Sequence, residues 1–217
     1  LDPAELIPAP AAVSAIVHLI PLILAASALM PASREVGTTA RPATPPWRRA
    51  ERVLGATFGL GCLAAGLEVA LGLGLAGGAD PSGSPVDALT LTMVLLVTSI
   101  GWVIVRFSRR YLDGDPGSAR ALRWLQATLA AVTLLVSTDH LLLLAAAWTA
   151  TSLALHQLLT HFSDRPAALI AAHKKFIASR VAEIAVFAAV LLIRASVGSF
   201  SIAELIDHLG TTAVADA

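Results

Sequence analysis

The sequence predicts an all-α fold, a polytopic membrane helix bundle of about six transmembrane helices, and three observations carry that prediction. Of 217 residues, 56% are hydrophobic and only 14% charged, whereas a soluble domain carries about 25% charged residues. Mean hydropathy is +0.76. The apolar residues fall into runs of the ~20 residues that a helix needs to cross a ~30 Å hydrocarbon layer, without the period-two alternation of strands. The basic residues gather on alternate connections between those runs.

The spans follow in order. The first covers 11–30 (AAVSAIVHLIPLILAASALM) and the second 53–77 (VLGATFGLGCLAAGLEVALGLGLAG). Between them, 31–50 reads as a loop, with Pro31, Pro42, Pro45 and Pro46 among small polar residues. In the second span, Gly72, Gly74 and Gly77 suit close helix packing better than a phosphate-binding loop. After a turn at 78–86, the third span covers 87–108. Turn chemistry at 112–118 (LDGDPGS) separates it from the fourth, 119–137. The fifth covers 140–160 and the sixth 168–193, so the bundle occupies 1–198. Residues 199–217 then form a short amphipathic helix and a frayed tail. Ser201 and Glu204 have capping-box spacing, and Ile202, Leu205, Ile206 and Leu209 share one face, as in a helix lying at the membrane interface.

Charge placement tests the span count independently. Arg34, Arg41, Arg48, Arg49 and Arg52 flank the first connection, and Arg106, Arg109, Arg110, Arg120 and Arg123 the third. Arg165, Lys174, Lys175 and Arg180 follow the fifth span, so these groups hold fourteen of the 15 basic residues. Basic connections stay in the cytoplasm, which predicts a multi-pass protein of the cell inner membrane with both termini outside. Net charge +0 excludes a basic nucleic-acid binder. The single cysteine, Cys62, excludes an internal disulfide framework and a Cys-rich zinc site. No secretory signal is expected, because Asp2 and Glu5 rather than basic residues precede the first apolar run.

Ionisable groups inside a membrane are costly and therefore functional candidates. Glu68 lies past the middle of the second span, with no basic residue near it in sequence. It is either part of an ion path or a hydrated group at the outer interface. His18 reads as a helix-contact residue, and His140, His161 and His208 as solvated groups near span ends. The informative region is the fifth and sixth spans. Thr149, Ser152 and His156 share a face of the fifth. The sixth carries His173, Lys174, Lys175, Arg180 and Glu183, with Arg180 and Glu183 spaced to pair on one face. At 3.6 residues per turn Lys175 lies nearer the Glu183 face than Lys174 does, and one of the two lysines is expected to snorkel toward water. No metal-site spacing, phosphate loop or nucleophile elbow is present.

Three stretches carry a family resemblance: DALTLTMVLLVTSIGWVIVRFSRRYL, STDHLLLLAAAWTATSL and AAHKKFIASRVAEI. Residues 87–193 resemble the antiporter-like membrane subunits of respiratory complex I, especially the L-type subunit, and the related Mrp antiporters. Asp87, Leu91, Thr92, Met93 and Tyr111 match the family's third span, and Trp148, Lys174, Arg180 and Glu183 match its fifth and sixth. The resemblance thus points to Lys174 where helix geometry favours Lys175. Thr149 departs from the pattern, standing where the respiratory members carry a key glutamate. The wording LALHQLLTHFSDRPAALIAAHKKFIASR, with His156 and Asp164-Arg165-Pro166, is most similar to the membrane subunit of DAB-type inorganic-carbon accumulation complexes.

That resemblance implies the N-terminal part of an antiporter-like fold, within a subunit of about fourteen spans. It implies an ion-conducting subunit, for protons or sodium, of a complex that accumulates CO2 as bicarbonate. The partner would be a cytoplasmic carbonic-anhydrase-like protein. Zinc would be held on that partner and no cofactor on this chain, whose expected role is translocation, with no catalytic residues of its own. The expected ion path comprises His156, Lys174, Lys175, Arg180, Glu183, Glu68, Thr149 and Ser152. The alternative is an L-type subunit of a NADH-quinone oxidoreductase or an Mrp-type cation/proton antiporter.

Overall fold

A computed structural model describes residues 9–30, 45–72, 87–162 and 164–215. They form seven helices: α1 (Ala9–Leu29), α2 (Pro45–Gly72), α3 (Ala88–Tyr111), α4 (Ser118–Ser137), α5 (Leu141–Leu159), α6 (Pro166–Val197) and α7 (Ile202–Ala215). The first six are long and apolar enough to cross a membrane, and no β-ladder forms among the described residues beyond one isolated bridge, His140 with Ser201. The helix ends follow local chemistry. Pro166 opens α6 at a position where no amide proton is required. Gly198, at φ 84°, closes it in the left-handed region that a side chain disfavours. Gly114, also at φ 84°, turns the chain between α3 and α4. The ring of His140 caps α5, its Nδ1 accepting from the Leu143 N–H at 3.4 Å.

Helices α1 to α4 close a ring in which α1 and α3 each touch both α2 and α4. Val13, Val17, Ile20 and Leu24 recur every three or four residues on α1 and are fully buried, together with Leu54 of α2 and Val94 of α3. Gly101 lets α3 approach α4, since a Cβ there would meet the two Cδ atoms of Leu129 at 2.8 and 2.9 Å. Outside this ring, α5 packs on α4 and α6 packs on α5. The outermost helix, α6, leaves Ile177, Val181, Ile184 and Leu192 exposed.

Contacts at the two ends fix the up-and-down course. At one end, Glu51 near the start of α2 binds Arg109 near the end of α3 at 2.6 Å. There too, Arg120 of α4 donates to Gln157 of α5 at 3.0 Å, and His161 meets Asp115 at 2.8 Å. At the other end, the Leu141 N–H donates to Phe200 O at 2.8 Å and the Ile202 N–H to Asp139 O at 3.0 Å. The start of α2, the α3–α4 turn and the end of α5 therefore share one side of the bundle.

Three expectations need correction. The second helix begins at Pro45, not at 53, so residues 45–50 are helical rather than loop. The early start buries Trp47 and Ala50 in the core and brings Glu51 to its arginine partners. The sixth helix runs to Val197, four residues past the expected end, stopping only at Gly198. The last helix extends to Ala215 where a frayed tail was expected. Gly74, Gly77 and the turn at 78–86 lie outside the described residues.

Candidate functional site

The site lies between α5 and α6. Glu183 sits beside the midpoint of α6, a 32-residue helix, and is 5% exposed. A carboxylate at that depth must be compensated, because isolated charge in a low-dielectric interior costs several kcal/mol. Arg180, one turn earlier, provides compensation: its Nη2 donates to Glu183 Oε1 at 2.6 Å. From α5, buried Ser152 receives the cations. Lys175 Nζ donates to both the backbone oxygen and the hydroxyl of Ser152, each at 3.0 Å, and Arg180 Nη2 lies 3.5 Å from the same hydroxyl. Two cations of α6 are thus tied to a single serine of α5, and one of them also holds Glu183.

Aromatic groups surround this cluster. The Arg180 guanidinium lies 4.8 Å from the centroid of the Phe176 ring, a cation–π arrangement strengthened where water is excluded. The His156 ring stands 4.6 Å from the same phenyl ring and 5.7 Å from the His173 ring. His156 Nδ1 and Arg180 Nε are both buried without a hydrogen-bond partner among the described residues. His173 is committed elsewhere, its Nδ1–H donating to Leu169 O at 2.7 Å.

The structure thus gathers Ser152, His156, Lys175, Arg180 and Glu183. Lys174 is exposed, one residue round the helix from the inward lysine. Thr149 turns its hydroxyl back to Ala145 O at 3.0 Å, within its own helix. Glu68 is half-buried toward the end of α2, which packs chiefly on α1 and α3. His18 is exposed, its Nδ1–H donating to Ser14 O at 2.7 Å.

His161, expected to be solvated, is largely buried. Its Nε2–H donates to Asp115 Oδ2 at 2.8 Å, and Asp115 Oδ1 accepts the Gly117 N–H at 2.8 Å. The Gly117 amide first, and His161 second, hold the Asp115 carboxyl below its ordinary value of 3.8. Sequence reasoning also missed Phe176, whose apolar ring carries no signal of its contact with Arg180. It missed Gln126 too, which is 3% exposed and donates to Ser27 Oγ at 2.9 Å, joining α4 to α1. A glutamine inside the fourth apolar run was the available sign.

An apolar bundle that joins a buried carboxylate to two half-buried cations defines a multi-pass membrane protein with a candidate ion-handling seam. Comparison with known proteins narrows the class. The family model for the N-terminus of chain 5 of NADH-ubiquinone oxidoreductase (complex I) matches residues 82–120. The probable inorganic carbon transporter subunit DabB of Hydrogenovibrio crunogenus is 40% identical over 125 residues, covering 57% of this chain and 24% of that relative. The probable subunit DabB2 of Halothiobacillus neapolitanus is 42% identical over 120 residues, covering 55% and 22%. NADH-quinone oxidoreductase subunit L of Escherichia coli is 27% identical over 121 residues, covering 56% and 20%. The matched segment spans between a fifth and a quarter of the length of these curated relatives. The chain is similar to antiporter-like membrane subunits, and is more like the two DabB proteins than like this subunit L.

Proposed function

We propose that this chain forms part of the ion-conducting membrane subunit of an energy-coupled inorganic-carbon accumulation complex. Its ion, a proton or sodium, drives a cytoplasmic carbonic-anhydrase-like partner that holds the zinc. The observation that carries this reading is the Lys175–Ser152–Arg180–Glu183 cluster, in which two half-buried cations of α6 share one hydroxyl of α5 and one of them holds the buried Glu183. Low dielectric makes each charge strongly sensitive to the others. A change in the protonation of Lys175 alters the pull on Arg180, and hence on Glu183. His156, packed against Phe176, adds an imidazole at the edge of that cluster, its Nδ1 buried and without a partner among the described residues. The pairing across α5 and α6 thereby registers the state of the ion path, and the soluble partner responds to the resulting shift. The higher identity to the DabB pair supports carbon accumulation over the alternative, an L-type quinone-linked subunit or an Mrp-type antiporter. The membrane is the cell inner membrane, with the basic connections facing the cytoplasm.

The test is growth of a carbonic-anhydrase-deficient host in ambient air, using the complete subunit together with its co-encoded soluble partner. Wild type is expected to rescue growth, while His156→Ala and Glu183→Ala at normal expression are expected to abolish rescue. Full rescue by both variants overturns the relay. Purification with electron-transfer subunits, in place of a zinc-holding soluble protein, selects the respiratory alternative.

A further inference from the structure

At the basic end of the bundle, away from the α5–α6 seam, α2 and α3 enclose an open groove of about 520 Å³ lined by Arg48, Glu51, Arg52, Trp102 and Arg109. Arg106 borders it, its guanidinium 5.8 Å from the centroid of the Trp102 ring. Four arginines therefore surround one carboxylate. Glu51 is already engaged: Oε2 accepts from Arg109 at 2.6 Å, and Oε1 lies 3.7 Å from Arg106. Arg48 and Arg52 have no carboxylate within ion-pair distance among the described residues. Among the described residues, Arg52 Nε has only the Arg48 backbone oxygen, at 3.4 Å. The groove thus keeps a surplus of positive charge that the described residues leave uncompensated.

We propose that this groove binds the phosphate of an anionic phospholipid. Three features point to that chemistry. Every cation is an arginine, whose planar fork matches two phosphate oxygens at once. The groove lies where α2 and α3 reach the end of their spans, the depth at which headgroup phosphates lie. Trp102, one turn before Arg106, supplies the amphipathic ring found at membrane–water interfaces. Glu51 holds Arg109 and Arg106 in place, and the phosphate completes Arg48 and Arg52. A basic site between helix ends is a recognised setting for acidic lipid headgroups. The bound lipid would tie α2 to α3 on the side that faces the proposed soluble partner, but its binding does not depend on what the α5–α6 cluster conducts.

The experiment measures lipid retained by the complete subunit in nanodiscs containing phosphatidylglycerol and phosphatidylethanolamine. Native mass spectrometry counts the lipids, and photoreactive phosphatidylglycerol maps the contact. Wild type is expected to enrich phosphatidylglycerol and to be labelled within 46–52 and 102–109. The double variant Arg48→Gln/Arg52→Gln is expected to bind it about thirtyfold more weakly, the effect of two headgroup-facing charges, while Arg194→Gln, a basic residue at the opposite end of the bundle, retains it. If the double variant does not fold, the wild-type labelling pattern decides. Equal retention of the two lipids, or labelling elsewhere, overturns the site. Displacement of the lipid by millimolar inorganic phosphate, with equal binding of phosphate in its absence, assigns the groove to free phosphate and overturns the lipid source. Growth rescue by the host assay is scored separately, so loss of lipid binding and failure of ion coupling are distinguishable.

Discussion

Two adjacent lysines with identical side chains have different fates because helix geometry separates them by about 100°. Lys175 reaches Ser152 on the neighbouring helix, while Lys174 stays exposed. Lys175→Gln is therefore expected to abolish growth rescue, whereas Lys174→Gln should leave most of it, in the same complete subunit at matched expression. Equal effects of the two would contradict the inward role of Lys175. Ser152→Ala removes one interhelical hydrogen-bonding group, and its cost should stay within about 0.6–2 kcal/mol, readable as a modest fall in thermal stability. Away from the membrane interior, Asp115 joins the α3–α4 turn to His161. Its carboxyl is held below 3.8 by the Gly117 amide and then by His161, so its stabilising effect is complete above that value. It is lost as pH falls through the lower folded value, when the carboxylate becomes protonated. The protection factor against hydrogen exchange at the Gly117 amide should be high at neutral pH and fall in acid, while in Asp115→Ala it should be low at both. Gly117→Ala is expected to break the same contact, since its Cβ would fall 2.7 Å from His161 Cε1.

At the scale of the helices, close approach and burial decide more than hydropathy. Gly101 faces Leu129 so closely that added side-chain volume must displace one helix. Gly101→Leu is expected to cost about 1–3 kcal/mol through overpacking, seen as a lower melting temperature, with the compensating Leu129→Ala recovering part of the loss. The six spans were legible because each is a continuous apolar run of membrane length, and the start of α7 was legible from the Ser201–Glu204 spacing. The start of α2 was not. Proline-rich 31–50 carries loop chemistry, yet Trp47 and Ala50 find the core and Glu51 finds Arg109, contacts that no local pattern encodes. Local signals also ended α6 early, although nothing before Gly198 stops a helix.

For the molecule as a whole, the alternation of basic connections predicts orientation as well as span count. The structure brings the start of α2, the α3–α4 turn and the end of α5 to one side through Glu51–Arg109, Arg120–Gln157 and His161–Asp115. With Cys62→Ser as background, Asp113→Cys should react with a membrane-impermeant thiol reagent only from the cytoplasmic face, and His208→Cys only from the other. Labelling from the reverse faces would invert the proposed topology. By itself, the sequence determined the class of fold, the number of spans and the residue types able to carry charge, because membrane thickness and hydration cost act on composition and spacing alone. Which groups meet was decided only by the tertiary structure. Helix rotation and tilt turned Lys175 rather than Lys174 to Ser152, left the Thr149 hydroxyl bonded within its own helix and set Glu68 on a helix that packs chiefly on α1 and α3. Side-chain partnership depends on how neighbouring helices are rotated against one another, and that rotation is set by the packing of the entire bundle.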